Sequence, residues 1–122
     1  MNVKAFFDNY IKAFDAFDPE AIADLYHYPS LLSSMDSNDA LVDRVEAIRN
    51  FRRICDSHRR MGYHTAVMLH SDRKTLTENL AVVTVRWRFE NESGKDLAQF
   101  DCTYTLADHG NGIGILCAVV HG

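Results

Sequence analysis

The sequence predicts one α+β domain in which three helices cover one face of a strongly curved sheet. The main observation is a change of period. Up to residue 60, apolar residues recur mostly three and four apart, as on helices, whereas from residue 63 onward they alternate with polar residues, as on strands. Size agrees: 122 residues, 47% hydrophobic and 25% charged, form one folded unit with a core large enough to need no staples.

The elements follow in order. Phe6, Phe7, Tyr10, Ile11, Phe14 and Phe17 form the apolar stripe of a first helix, with Asp8, Lys12 and Asp15 opposite. Asp18 followed by Pro19 is an N-cap with proline at the first helical position. Ala21, Ile22, Leu25 and Tyr26 then give a short second helix that Pro29 ends. Residues 30–35 read as a strand, 36–39 as a turn and 40–42 as a second short strand. A third helix spans 43–60, with Val45, Ile48, Phe51, Ile54, Cys55 and His58 inward, arginines outward, and Gly62 as the stop. Four long strands follow at 63–72, 79–91, 96–108 and 112–122. Ala81, Val83, Val85, Trp87 and Phe89 share one face of their strand, as do Ala98, Phe100, Cys102, Tyr104 and Leu106 of the next. The glycine, asparagine and aspartate of 92–96 and 108–112 suit hairpin loops, so these strands are consecutive and antiparallel.

Charge and cysteine content narrow the function classes. Residues 1–43 sum to -6, residues 44–60 to +4 and residues 61–122 to -2. The arginines of the third helix lack interleaved aromatics and a basic overall balance, so they read as a solvated face and no nucleic-acid partner is expected. Cys55, Cys102 and Cys117 form no CxxC pair, and this odd count indicates reduced thiols in the cytoplasm. The start MNVKAFFDNY lacks the basic and apolar regions of a secretory leader, and no apolar run is long enough to span a bilayer; no membrane partner is expected. None of the six histidines forms a close metal-ligand pair. His64 and His70 share a strand face about 20 Å apart, so neither metal nor cofactor is expected.

The order of elements, the opening segment YIKAFDAFDPEAIADLYHYP (10–29) and the closing turn LADHGNGI (106–113) resemble the nuclear transport factor 2-like superfamily. That superfamily contains ketosteroid isomerases, scytalone dehydratases and SnoaL-like polyketide cyclases. The resemblance implies a cone-shaped, mixed and mainly antiparallel sheet with the three helices on its concave face, enclosing a cavity for a small apolar ligand. It also implies a homodimer formed through the outer sheet face, where Arg86, Arg88 and Asp101 are available for pairing.

The isomerase members supply the sharpest comparison, because their chemistry uses a carboxylate base together with a tyrosine and a protonated acid at the enolate oxygen. By resemblance the oxyanion tyrosine is Tyr10. The base position falls at Ser34 and the acid position at Cys102, neither of which can perform the carboxyl's task. Steroid-type isomerisation is therefore not expected unless Asp36 enters the pocket. Candidates that face inward are Tyr10 and His121 for proton transfer, with Tyr26, Ser34, Trp87, Cys102 and Tyr104 as ligand contacts. Cys102 on a packed face reads as an inert small hydrophobe. Two functions follow: a pocket protein, with isomerase, dehydratase or hydrolase activity among the options, or a non-catalytic dimeric domain whose cavity is filled by Phe14, Phe51, Trp87 and Tyr104.

Overall fold

The computed structural model describes residues 1–122 and contains α1 (Val3–Asp15), α2 (Pro19–Ala23), β1 (Tyr26–Ser33), β2 (Asn38–Leu41), α3 (Arg44–Met61), β3 (Thr65–Thr77), β4 (Leu80–Glu90), β5 (Asp96–Asp108) and β6 (Ile113–His121). The strands form one curved sheet in the order β2-β1-β6-β5-β4-β3. β1 runs parallel to β6, and all other neighbours are antiparallel. The expected α+β class and the expected β3 to β6 meander are both present.

Capping chemistry sets the helices. Asn2 accepts a hydrogen bond from the Ala5 amide at the start of α1, and Asp18 accepts from Ala21 at 3.1 Å at the start of α2, with Pro19 as its first residue. Asp43 accepts from Glu46 at 2.9 Å, while the Glu46 carboxylate reaches back to the Val42 amide. Gly62, at φ +88°, ends α3 in the left-handed region that a side chain would make costly.

The core lies between the helices and the concave face. Phe6 and Phe7 of α1, Ile22 of α2, and Ala47, Phe51 and Cys55 of α3 pack against Val83, Val85, Trp87, Tyr104, Leu106 and Ile115 of the sheet. At the closed end, Gly114 of β6 admits the His27 ring, whose Nε2 lies 3.1 Å from the Gly112 carbonyl oxygen. A Cβ at residue 114 would collide with that ring.

Several boundaries differ from the sequence reading. α2 stops at Ala23, and Tyr26 begins β1 instead of finishing the helix. Pro29 disfavours helical backbone at residue 28, and it lies where the β1–β6 register shifts between Tyr26 and Leu31, a position that needs no amide donor. β1 ends at Ser33, which leaves Ser34 in the β1–β2 turn, where its amide bonds the Ser37 carbonyl at 2.9 Å. β3 runs on to Thr77, past the expected end at 72. Arg73 and Lys74, just beyond that expected end, are the charged guard of an exposed edge strand and pair with Val83 and Val82. α3 is also rotated: Ala47 and Asn50 face inward and Val45 is 60% exposed.

Candidate functional site

The helices do not fill the cone. A cavity of about 400 Å³ remains between α1, α3 and the concave sheet face. Its walls are mostly apolar, built from Ile11, Phe14, Phe51, Ile54, Phe89 and Phe100. Ser37, Asp39 and Val120 are the exposed members of the lining and mark the mouth, between the β1–β2 hairpin, the end of β6 and α3.

At the inner end, three aromatic polar groups form a directed chain. The Trp87 indole N–H donates to the Tyr104 hydroxyl at 2.9 Å, and that hydroxyl donates to Tyr10 at 3.4 Å. The Tyr26 hydroxyl lies beside that of Tyr10 and joins the same cluster. Strand parity places Trp87 and Tyr104 on the inner face of adjacent strands, and Tyr10 descends from α1 onto them with its ring stacked 6.1 Å from that of Trp87. Burial, followed by the neighbouring Tyr104 and Cys102, holds the Tyr10 phenol well above its ordinary range. Burial and the neighbouring Tyr10 do the same for Tyr26. These phenols are neutral donors at any physiological pH, which suits holding an oxygen atom and excludes service as a base.

The Cys102 thiol is pushed up to about 12, above all by burial, so it stays protonated and does not act as a nucleophile.

Two α3 side chains bring further polarity to the cavity. His58 is 8% exposed, lies against Phe14, Tyr63 and Phe89, and its Nδ1 has no hydrogen-bond partner. Burial lowers its pKa, opposed by the Ile54 carbonyl one turn earlier, so the ring is uncharged near neutrality. Asn50 is 7% exposed; its Oδ1 accepts from Arg53 at 2.7 Å while its Nδ2 is unpartnered.

Tyr10, Tyr26, Ser34, Trp87, Cys102 and Tyr104 all line the cavity, Ser34 from its turn near the mouth. His121 does not. It pairs with Asp101, on the outer face, and its Nε2 lies 2.7 Å from Thr103 Oγ1, so the sheet separates it from Tyr10. The inward residue at this end of β6 is Val120, one position before the expected His121. Asp36 is likewise absent from the lining, where the carboxylate present is Asp39 at the mouth. Phe14, Phe51, Trp87 and Tyr104 line the space without closing it. His58 and Asn50 lie outside the site residues expected from sequence, although His58 stands on the apolar stripe of α3. Nothing in the sequence distinguishes such a histidine from one packed in a core.

An α+β cone with a hollow, aromatic-lined interior defines a nuclear transport factor 2-like pocket domain. The chain belongs to the family described as NTF2-like protein (DUF6841), which it matches over residues 1–122. No curated protein matches it. Among solved structures it is similar to an NTF-2 like protein of unknown function from Shewanella oneidensis, with 13% identity, 97% of this chain and 94% of the other covered, and a TM-score of 0.77. It is also similar to a Nostoc punctiforme protein of unknown function with a cystatin-like fold, at 7% identity, 97% and 86% coverage and a TM-score of 0.79. A third is an NTF2-like protein with a cystatin-like fold from Novosphingobium aromaticivorans, at 11% identity, 97% and 77% coverage and a TM-score of 0.77. At these identities the likeness is one of fold.

Two predictions follow from this geometry. Tyr104→Phe orphans the buried Trp87 N–H and is expected to cost about 1–3 kcal/mol in urea denaturation, whereas Tyr10→Phe, at the end of the chain, costs about 1 kcal/mol or less. Because the folded His58 pKa lies below its ordinary 6.5, the unfolded chain takes up a proton that the folded chain refuses as pH falls through that value. Stability therefore declines from about pH 6.5 downward, and His58→Phe flattens this part of the denaturation-midpoint profile.

Proposed function

We propose that the chain binds a compact, largely apolar small molecule carrying a carbonyl-type oxygen, with its ring system between α1 and the sheet and the oxygen on the Tyr10 hydroxyl. The observation that carries this reading is the open cavity of about 400 Å³, which falls within the usual range of ligand pockets and has its inner donors already aligned. Proton transfer on the bound molecule, as in an isomerase, dehydratase or hydrolase, is the finer reading. In it Tyr10 holds the oxygen and His58, uncharged and one Phe14 ring away, accepts the proton. The experiment is titration of the chain's single tryptophan, Trp87, with bicyclic ketones such as 1-tetralone. Saturable one-to-one quenching is expected, weakened about ten-fold in Tyr10→Phe by loss of one hydrogen bond. Absence of saturation in the wild-type protein overturns the reading.

We further propose a homodimer formed through the outer sheet face. Arg86 and Asp101 lie opposite each other in the β4–β5 register and 3.5 Å apart, and Arg88 lies 3.5 Å from Glu90. The charges on this face are thus matched within one chain, and Thr84, Thr103 and Val119 beside them offer a surface of mixed polarity that a two-fold copy can meet without net repulsion. Sedimentation velocity at micromolar concentration is expected to show a dimer, lost on Thr103→Arg; a wild-type monomer counts against it. A location in the cytoplasm is consistent with three free cysteines and with the absence of any helix long and apolar enough to cross a membrane.

A further inference from the structure

Among the polar groups of the cavity wall, the His58 ring is more than nine-tenths buried and has neither nitrogen engaged in a hydrogen bond. The rings of Phe14, Tyr63 and Phe89 hold it in place, at 5.6, 4.9 and 5.1 Å between centroids. Its two nitrogens differ. Nδ1, bonded to the ring carbon nearest the backbone, has no accessible surface and lies on the side of the Ile54 carbonyl, one helical turn earlier, which favours a proton there. Nε2, on the far edge of the ring, is not sealed in this way. With the proton on Nδ1, the Nε2 lone pair is the acceptor that the ring presents to the cavity.

The chain's own hydroxyls at this end are already committed. Tyr63, which packs against His58, donates to Asp15 Oδ1 at 2.8 Å, and Thr65 Oγ1 donates to Asp15 Oδ2 at 2.8 Å. Neither proton is left for the imidazole. A buried acceptor without a donor carries a free-energy cost that a bound donor removes. Tyr10 and His58 both touch the Phe14 ring, at 5.0 and 5.6 Å between centroids. The phenols at the inner end and the free imidazole nitrogen therefore lie within the span of one bicyclic molecule.

We infer that the cavity takes a hydroxylated ligand, whose carbonyl oxygen lies at the Tyr10 end and whose hydroxyl, at the opposite end of the molecule, donates to His58 Nε2. This inference rests on the ligand-binding reading above and adds the ligand's second polar end. It requires a proton on that second oxygen, since an ether there has none to give.

The test uses three probes on one skeleton, 1-indanone, 5-hydroxy-1-indanone and 5-methoxy-1-indanone, titrated calorimetrically at pH 7. Hydroxyl and methoxy groups donate electrons to the carbonyl alike, so the comparison between them isolates the proton. The hydroxy compound is expected to bind the wild-type protein about five- to ten-fold more tightly than 1-indanone, and the methoxy compound no more tightly than 1-indanone. In His58→Phe the ratio between the hydroxy compound and 1-indanone is expected to fall to about one. Equal binding of all three probes to the wild-type protein, or a methoxy compound that binds as tightly as the hydroxy one, overturns the donor contact and leaves the ligand-binding cavity standing. A hydroxyl preference that survives in His58→Phe also overturns it. If no probe binds, both readings fall.

Discussion

The seat of Phe7 on the sheet governs the rest of the structure. Its ring is fully buried and meets Tyr104 at 5.0 Å and Trp87 at 6.1 Å between centroids, edge to face. That contact fixes how deeply α1 enters the cone. One helical turn further along, Tyr10 comes equally close to Trp87, at 6.1 Å between centroids, and borders the void with its hydroxyl on Tyr104. Phe14, a turn beyond, spans the opening toward Phe51 and His58 of α3. At the far end of α1, Asp15 accepts from the Tyr63 hydroxyl and from Thr65 of β3, both at 2.8 Å, so the helix is held at both ends and the pocket is the space left beside Tyr10 and Phe14.

Charge within that space follows from the same geometry. The walls hold polar groups that remain neutral because burial penalises every ionised form: phenols that keep their protons, a thiol that keeps its own, and an imidazole that declines one. Formal charge begins only at the rim, with Asp39 and the arginines of α3. The interior therefore offers shape and neutral hydrogen-bonding groups, with formal charge confined to its edge.

Most of this architecture is legible in the sequence because it rests on periodicity. The inward residues of β4 and β5 follow from strict alternation, and the caps at Asp18 and Gly62 follow from local chemistry. Legibility fails where a short-range rule meets a tertiary one. Tyr26 fits the apolar side of a helix as well as the first position of a strand, and its pairing with Ile115 on the distant β6 decides the matter. His121 lies at the end of a strand whose glycines and apolar run hide the alternation, so its face becomes clear only once Tyr104 is set opposite Ala118. Asn50 reads as one polar residue among the arginines of α3, since a rotation of the helix by a fraction of a turn separates solvent from cavity.

The position of β1 beside β6 also has a kinetic meaning. Residues 26–33 find their parallel partner only in residues 113–121, so this joint closes a loop of about 85 residues and bears the largest entropic cost of any pairing in the sheet. The meander from β3 to β6 can assemble from neighbours alone. The mouth straddles this joint, with Ser34 and Asp39 on one side and Val120 on the other. A chain in which this joint is open has aromatic walls but no enclosed space, so the cavity is complete only once the sheet has closed.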